Sequence, residues 1–128
     1  DIMVIHTGGN DIVRFTKLKD VETNLRVVLG EAKTLSNTVV VLHGGNVGTA
    51  KLFPPGTRWI FTRRTAQVRD IFLRLTSEMG AYYVDLWRRG KDDPFFADPD
   101  SYYAADYFHP SSVGYKDWYE HIEATMQK

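Results

Sequence analysis

The sequence contains no cysteine, which excludes disulfide bonds, thiolate metal sites and a cysteine nucleophile. No apolar run approaches the roughly 20 residues that a membrane span requires. Neither sign of charge is in excess, because 16 Lys and Arg residues balance 16 Asp and Glu residues. Broad affinity for nucleic acid or anionic lipid is therefore not expected. The basic clusters Arg63-Arg64 and Arg88-Arg89-Gly90-Lys91 are predicted to be solvated faces.

The size and composition of the chain fit one globular domain, residues 1–128. Hydrophobic residues make up 43% of the 128 residues, and we find neither an internal repeat nor a low-complexity linker. Asp1 leads directly into the apolar run Ile2-Met3-Val4-Ile5, without any preceding segment. We therefore expect that an N-terminal piece is missing, so no signal peptide can be read and the compartment stays open.

The hydrophobic pattern predicts an alternation of strands and helices. Continuous apolar runs at residues 2–7, 38–43 and 81–86 are typical of strands buried on both faces. Steps of three and four between apolar residues predict helices at residues 18–35, between Pro55 and Gly80, and after Pro110. Such alternation predicts an α/β fold, a parallel sheet with helices on both faces. Three strands make a thin sheet, so we expect that one or two strands are absent.

Polar residues follow each predicted strand. Gly8-Gly9-Asn10-Asp11 follows the first strand and Gly44-Gly45-Asn46 the second, while a long loop, residues 88–108, connects the third strand to Asp106 and His109. Ligands gather at the carboxyl ends of parallel strands. We therefore expect these groups to converge on one rim.

Asp106-Tyr107-Phe108-His109 places a carboxylate three residues before a histidine, and Pro110 keeps that histidine out of a helix interior. A carboxylate that binds one ring nitrogen fixes the tautomer and leaves the other nitrogen free to take a proton from a nucleophile. The pair is therefore interpreted as the acid–base half of a hydrolytic site. The alternative is a histidine that braces the last helix.

The glycine-rich turns are the second candidate element. Gly8 and Gly9 allow a sharp turn and close approach of a ligand, and Asn10 is placed to donate to a developing oxyanion. The alternative is a turn that Asn10 or Asp11 caps, and Asp11 is interpreted as structural. Asn46 is a candidate to line the pocket.

Other polar and aromatic residues are given structural roles. His6 and His43 are predicted to be structural strand-end residues, and no metal site is predicted. His121 is predicted to lie at the surface. A solvated loop, rather than a calcium site, is predicted for the acidic residues Asp92, Asp93, Asp98 and Asp100. Two roles are compatible with the aromatic residues of this loop, the wall of an acyl pocket and a small satellite core. These residues are Phe95, Phe96, Tyr102 and Tyr103.

Two blocks of this chain resemble motifs of the SGNH, or GDSL-type, hydrolase superfamily. Gly8-Gly9-Asn10-Asp11 is similar to its G-x-N-D block, and Asp106 to Ser111, with Gly114, is similar to its D-x-x-H block. The segment Gly44–Pro55 resembles a bacterial subgroup of these esterases. The resemblance implies a three-layer α/β/α sandwich around a five-stranded parallel sheet, with the first one or two strands lacking here. It also implies that Asp106 orients His109, that His109 is the base and then the acid, and that Asn10 helps to hold the oxyanion.

The chain lacks two blocks of the family, and one of them is the glycine block after the second strand, which supplies a second oxyanion donor. The Gly-Asp-Ser block that carries the nucleophile is absent, and none of the serines at 36, 77, 101, 111 and 112 follows a strand in a suitable turn. Ser112 is predicted to cap the last helix. The resemblance thus implies a serine hydrolase of small-molecule esters that needs no cofactor, with its serine outside this chain.

Two other functions compete with this interpretation. One is a non-catalytic SGNH-like fragment or interaction module, and an exposed edge at residues 2–7 would then suit a homodimer. The other is a flavodoxin-like nucleotide-binding domain, which the glycine spacing disfavours.

Overall fold

The computed structural model describes residues 1–127, in which three strands alternate with helices. Helices at the predicted residues 18–35, before Gly80 and after Pro110 are confirmed, and strand formation is confirmed with slightly shorter bounds. The elements are β1 (Ile2–His6), α1 (Gly9–Val13), α2 (Leu18–Leu35), β2 (Thr38–His43), α3 (Arg58–Met79), β3 (Tyr82–Asp85), α4 (Pro94–Ala97), α5 (Pro99–Tyr102) and α6 (Ser112–Met126). The short α4 and α5 lie within the segment that was predicted to be loop.

The sheet is parallel throughout, in the order β1-β2-β3. Ile2 pairs with Thr38, and His43 at the end of β2 pairs with Asp85. Parallel neighbours need right-handed crossovers, and two crossovers in the same direction place α2 and α3 on the same face. The predicted α/β class with a parallel sheet is confirmed.

The larger part of the core lies between the sheet and these two crossover helices. The buried positions Val21, Leu25, Leu29 and Ala32 of α2 are separated by four, four and three residues, as one face of a helix requires. Helix α3 ends at Gly80, whose φ of 65° is the left-handed conformation that favours glycine. The members of this core cluster come from α1, α2, α3 and both β1 and β2.

Helix α6 covers the opposite face mainly over β2 and β3, and it meets β1 at His6, whose ring centroid lies 5.7 Å from that of Trp118. Trp118 and Ile122 of α6 pack against Val40, Val84 and Leu86. The prediction that the first strand is buried on both faces is therefore wrong, since Ile2 is 66% exposed and Val4 58% exposed. The three layers are helices, sheet and helix, with β1 covered mainly on one side.

A search of the helices in residues 1–127 found none with the length and apolar character that crossing a bilayer demands.

Candidate active site

The loops at the carboxyl ends of the strands enclose a cavity of about 290 Å³. The predicted site residues that line it are Gly8, Gly9, Asn10, Asn46 and His109. They come from the turns after β1 and β2 and from the segment before α6, so the expected convergence on one rim is observed. Asp106 is not among the lining residues and supports His109 from behind.

Asp106 and His109 form a hydrogen-bonded pair. His109 Nδ1 lies 2.6 Å from Asp106 Oδ2. The other carboxylate oxygen accepts from the backbone N–H groups of Phe108 and His109, at 3.0 and 2.9 Å. The hydrogen bond from His109, followed by these two backbone bonds, lowers the pKa of Asp106 to about 2. The carboxylate is therefore ionised at neutral pH, and His109 Nε2 has no hydrogen-bonding partner within residues 1–127.

A strained turn holds the pair together. Tyr107 has a φ of 56°, in the left-handed region that non-glycine residues adopt only at a cost of about 1–2 kcal/mol. The turn is held by hydrogen bonds from Tyr107 N to Ala104 O at 2.9 Å and from Ala104 N to His109 O at 2.8 Å. Leu52 N, from the loop after β2, donates to Tyr107 O at 3.2 Å. Backbone bonds thus fix the Asp106–His109 geometry, although both side chains are more than half exposed.

The turn after β1 requires a glycine at its first position. Gly8 has a φ of 102°, and a Cβ atom there would lie 2.9 Å from His43 Cδ2. The chain then enters α1 at Gly9, which places Asn10 in the first turn of that helix. Asn10 is exposed, and its carboxamide makes no hydrogen bond to another residue in the described chain, 1–127. The carboxamide is therefore free to donate to a ligand in the cavity.

Asn46 lines the cavity, but its carboxamide already has intramolecular partners. Its Oδ1 accepts from Gly48 N at 2.9 Å, and its Nδ2 donates to Thr62 Oγ1 at 3.2 Å. The side chain fastens the loop after β2 to α3. Contact with a substrate through Asn46 stays a prediction.

Two of the four aromatic residues of the loop after β3 belong both to a small core and to the cavity wall, and a role in binding an acyl group stays a prediction. Phe95 and Tyr103 are 5% and 8% exposed and form a small core with Ala50. The same two residues line the cavity, where Trp118 from α6 packs on Phe95 at a centroid distance of 5.6 Å. Tyr103 Oη lies 2.6 Å from Thr49 Oγ1. This part of the wall is therefore aromatic and closely packed.

His43 is more unusual than the sequence suggested. Its side chain is 0% exposed beneath Gly8 and packs on Phe72, at a centroid distance of 4.9 Å. Neither ring nitrogen has a hydrogen-bonding partner among residues 1–127. Burial lowers its pKa from 6.5 to about 4, against the opposing effect of the Asp85 carboxylate. The ring is thus neutral at physiological pH.

Four residues differ from their predicted solvated or surface positions, and one of them, Arg88, is half-buried in an ion pair with Asp117. Arg64 is 8% exposed and donates to the carbonyl of Thr16. Asp93 is 4% exposed and caps α4 by accepting from Phe95 N at 3.0 Å. His121 is half-buried, with Nε2 3.0 Å from the carbonyl oxygen of Asp85. In Arg64, Asp93 and His121 a nearby backbone group is a hydrogen-bonding partner, although Arg64 Nε has none among residues 1–127.

The Asp93-Pro94 and Asp98-Pro99 pairs are a sequence signal from which Asp93 and Asp98 could have been predicted as helix N-caps. Aspartate at the N-cap with proline at the first helical position is a common start for a helix, and both pairs begin short helices, α4 and α5.

Among residues 1–127, no group of three or more His, Asp or Glu side chains is arranged to hold a metal ion.

None of the serines in residues 1–127 lines the cavity. Ser36 lies before the start of β2, at the end of the strands away from the cavity, where its hydroxyl donates to Asp1 O at 2.8 Å. Ser111, and not Ser112 as predicted, caps α6, because its hydroxyl accepts from Gly114 N at 3.2 Å. The same Ser111 hydroxyl donates to Ser101 O at 2.5 Å. These serines therefore have structural roles.

Comparison with known protein families agrees with this geometry. The model of the GDSL-like lipase/acylhydrolase family matches residues 1–116, which contain both the Gly8–Asp11 turn and the Asp106–His109 pair. No curated protein and no solved structure matches the chain significantly. The match spans most of the chain and supports a general acylhydrolase activity. The chain therefore belongs to the GDSL-like lipase/acylhydrolase family.

Proposed function

We propose that this chain supplies the acid–base pair and one oxyanion donor of a serine ester hydrolase. Asp106 and His109 are the pair, Asn10 is the donor, and the nucleophile is a serine outside this chain. The observation that carries the proposal is the 2.6 Å contact between His109 Nδ1 and Asp106 Oδ2. It leaves Nε2 without a partner in the described chain, on a residue that lines the cavity.

The reaction follows from these positions. As the serine oxygen attacks the ester carbonyl carbon, His109 Nε2 takes the hydroxyl proton, and the ionised Asp106 stabilises the resulting imidazolium. The carbonyl oxygen becomes an oxyanion, to which the Asn10 carboxamide donates a hydrogen bond. His109 then gives its proton to the departing alcohol. Water, deprotonated in turn by His109, attacks the acyl-serine, and His109 returns that proton to the serine oxygen as the carboxylic acid leaves.

The cavity wall supports a serine from outside this chain. No serine of residues 1–127 lines the cavity, and Ser111, the closest in sequence to His109, uses its hydroxyl to cap α6. The aromatic wall of the cavity suits an uncharged acyl or alkyl group. A small-molecule ester is thus the substrate that this site fits.

The test uses the complete protein that contains this chain and a short p-nitrophenyl ester. His109→Gln and Asp106→Asn should each lower kcat/KM by about 10³- to 10⁴-fold, because the base is lost or its tautomer is no longer fixed. Asp70→Asn, at an exposed position of α3, is the matched control and should change kcat/KM less than twofold. Wild-type turnover by the His109→Gln variant would contradict the proposal.

Labelling tests the location of the nucleophile. A fluorophosphonate should modify one serine of the complete protein, in a peptide outside residues 1–128. Labelling of Ser111 or Ser101, or full hydrolysis by a preparation that contains only this chain, would contradict an external serine.

The absence of a serine from the cavity wall favours one alternative, a domain that binds an ester or acid without cleaving it. In that case no serine would be labelled and the ester would bind unchanged, which equilibrium dialysis followed by mass spectrometry detects.

A further inference from the structure

A second cavity, of about 400 Å³, lies beside the catalytic one and is lined by three arginines. Arg58 comes from the first residue of α3, and Arg88 and Arg89 from the loop after β3. Asn46, Thr49 and Asp93 line both cavities and form the wall between them. A ligand in the catalytic cavity could therefore extend a substituent into this second one, here called the arginine pocket.

The arginine pocket has an excess of positive charge. Arg88 is neutralised, because it makes a two-pronged ion pair with the Asp117 carboxylate. No ion pair of residues 1–127 involves Arg58 or Arg89. Asp93 is the one carboxylate in the wall, and burial raises its pKa. The pocket is thus lined by two arginines without an ion pair and by a single carboxylate, the buried Asp93.

The guanidinium group of Arg58 is oriented by its attachment to the neighbouring loop. Arg58 Nε donates to Phe53 O at 3.3 Å, while its terminal nitrogens have no hydrogen-bonding partner in the described residues. Burial raises the pKa of Tyr103, in the wall of the catalytic cavity, to about 12. The positive charge of Arg58 is near enough to oppose that rise. The unpaired charge is therefore close to the proposed reaction site.

We propose that the arginine pocket binds an anionic group, a carboxylate or a phosphate, carried by the ester whose carbonyl occupies the catalytic cavity. A guanidinium group offers planar paired donors that match the oxygens of such an anion, and charge-assisted hydrogen bonds of this kind are the strong ones. The substrate class is thus an ester with a negatively charged tail. This assignment rests on the proposed ester hydrolysis.

The experiment compares two esters of equal length in the complete protein: p-nitrophenyl valerate, which ends in a methyl group, and mono-p-nitrophenyl glutarate, which ends in a carboxylate. The wild type should hydrolyse the glutarate ester with a kcat/KM about tenfold higher, the scale of one charge-assisted hydrogen bond. The Arg58→Gln/Arg89→Gln double variant should lose this preference and keep its kcat/KM for the valerate ester within about twofold.

Two further variants control for charge and for folding. Arg63→Gln removes an exposed arginine of the same helix that lines neither cavity, and it should keep the preference. Arg58→Lys retains the positive charge and should keep part of the preference for the glutarate ester. Equal kcat/KM for the two esters in the wild type, or an equal loss for both esters in the double variant, would overturn the proposal.

A binding measurement separates this proposal from the proposed reaction. Calorimetric titration with free glutarate and with inorganic phosphate needs no turnover. If neither ester is hydrolysed, the reaction proposal fails, and glutarate binding that the double variant loses would still support an anion site. Equal glutarate binding by wild type and double variant would overturn the site. Glutarate binding without a preference for the glutarate ester would overturn the substrate assignment and indicate a site for free anions.

Discussion

Acidification should destabilise this protein through His43 at a pH where carboxylates contribute little. The folded state holds the ring neutral, with its pKa lowered to about 4, whereas the unfolded state returns it to 6.5. Below pH 6.5 the unfolded chain therefore binds more protons than the folded one, so stability falls as pH falls. The contribution is complete above pH 6.5, declines down to about pH 4 and is constant below that.

The magnitude follows from that difference in pKa. One proton is worth about 1.4 kcal/mol per pH unit, and pH 5 lies about 1.5 units below the unfolded value. His43 alone should thus lower the free energy of unfolding by about 2 kcal/mol between pH 7.5 and pH 5. The charged groups around the ring are Asp85, which raises the pKa, and His6 and Arg69, which lower it. Burial outweighs the Asp85 carboxylate because His43 is 0% exposed.

Urea unfolding followed by tryptophan fluorescence measures this loss at the two pH values. His43→Asn and His43→Phe cannot titrate at this position, and each should remove about 2 kcal/mol of the pH dependence whatever its own stability. His121→Asn is the control that keeps both His43 and its neighbour His6. The reasoning is refuted if the wild type loses less than about 0.5 kcal/mol, or if the His43 variants lose as much as the wild type. An NMR titration midpoint of His43 near 6.5 would refute it as well.

Two further changes test the packing around the site. Gly48→Ala would place a Cβ atom 2.0 Å from Thr62 Oγ1, and should lower the unfolding free energy by about 3 kcal/mol, the upper range for overpacking. Gly56→Ala meets no atom within 4 Å and should stay within about 0.5 kcal/mol, so equal effects in urea unfolding would contradict the clash. Ser111→Ala removes the hydroxyl that accepts from Gly114 N and should cost about 1 kcal/mol without changing ester turnover. A large loss of kcat/KM at unchanged stability would instead make Ser111 part of the reaction.

The sequence predicted the elements whose signals are local. Apolar residues at steps of four, four and three predict α2, and the glycine after α3 predicts the end of that helix. Each of these signals lies within a few residues. The convergence of Asn10 and His109 on one rim was also predictable, because parallel strands place their carboxyl ends together.

Long-range packing could not be predicted in the same way. Ile2 and Val4 have the apolar pattern of a fully buried strand, but their exposure depends on where α6 crosses the sheet. The burial of His43 depends on Gly8 above it and Phe72 beside it, which are 35 and 29 residues away along the chain. At Ser111 and Ser112 the local signal was present, but two adjacent serines offer the same cap and only the turn of the backbone selects the first.

The turn that holds Asp106 and His109 has a consequence for how such domains diverge. The hydrogen bonds of the Asp106 carboxylate join groups no more than three residues apart, whereas Leu52 N, which is 55 residues away along the chain, donates to Tyr107 O in the same turn. In related domains the loop after β2 is therefore constrained where it contacts this turn, whereas the carboxylate and the imidazole need only their own short segment.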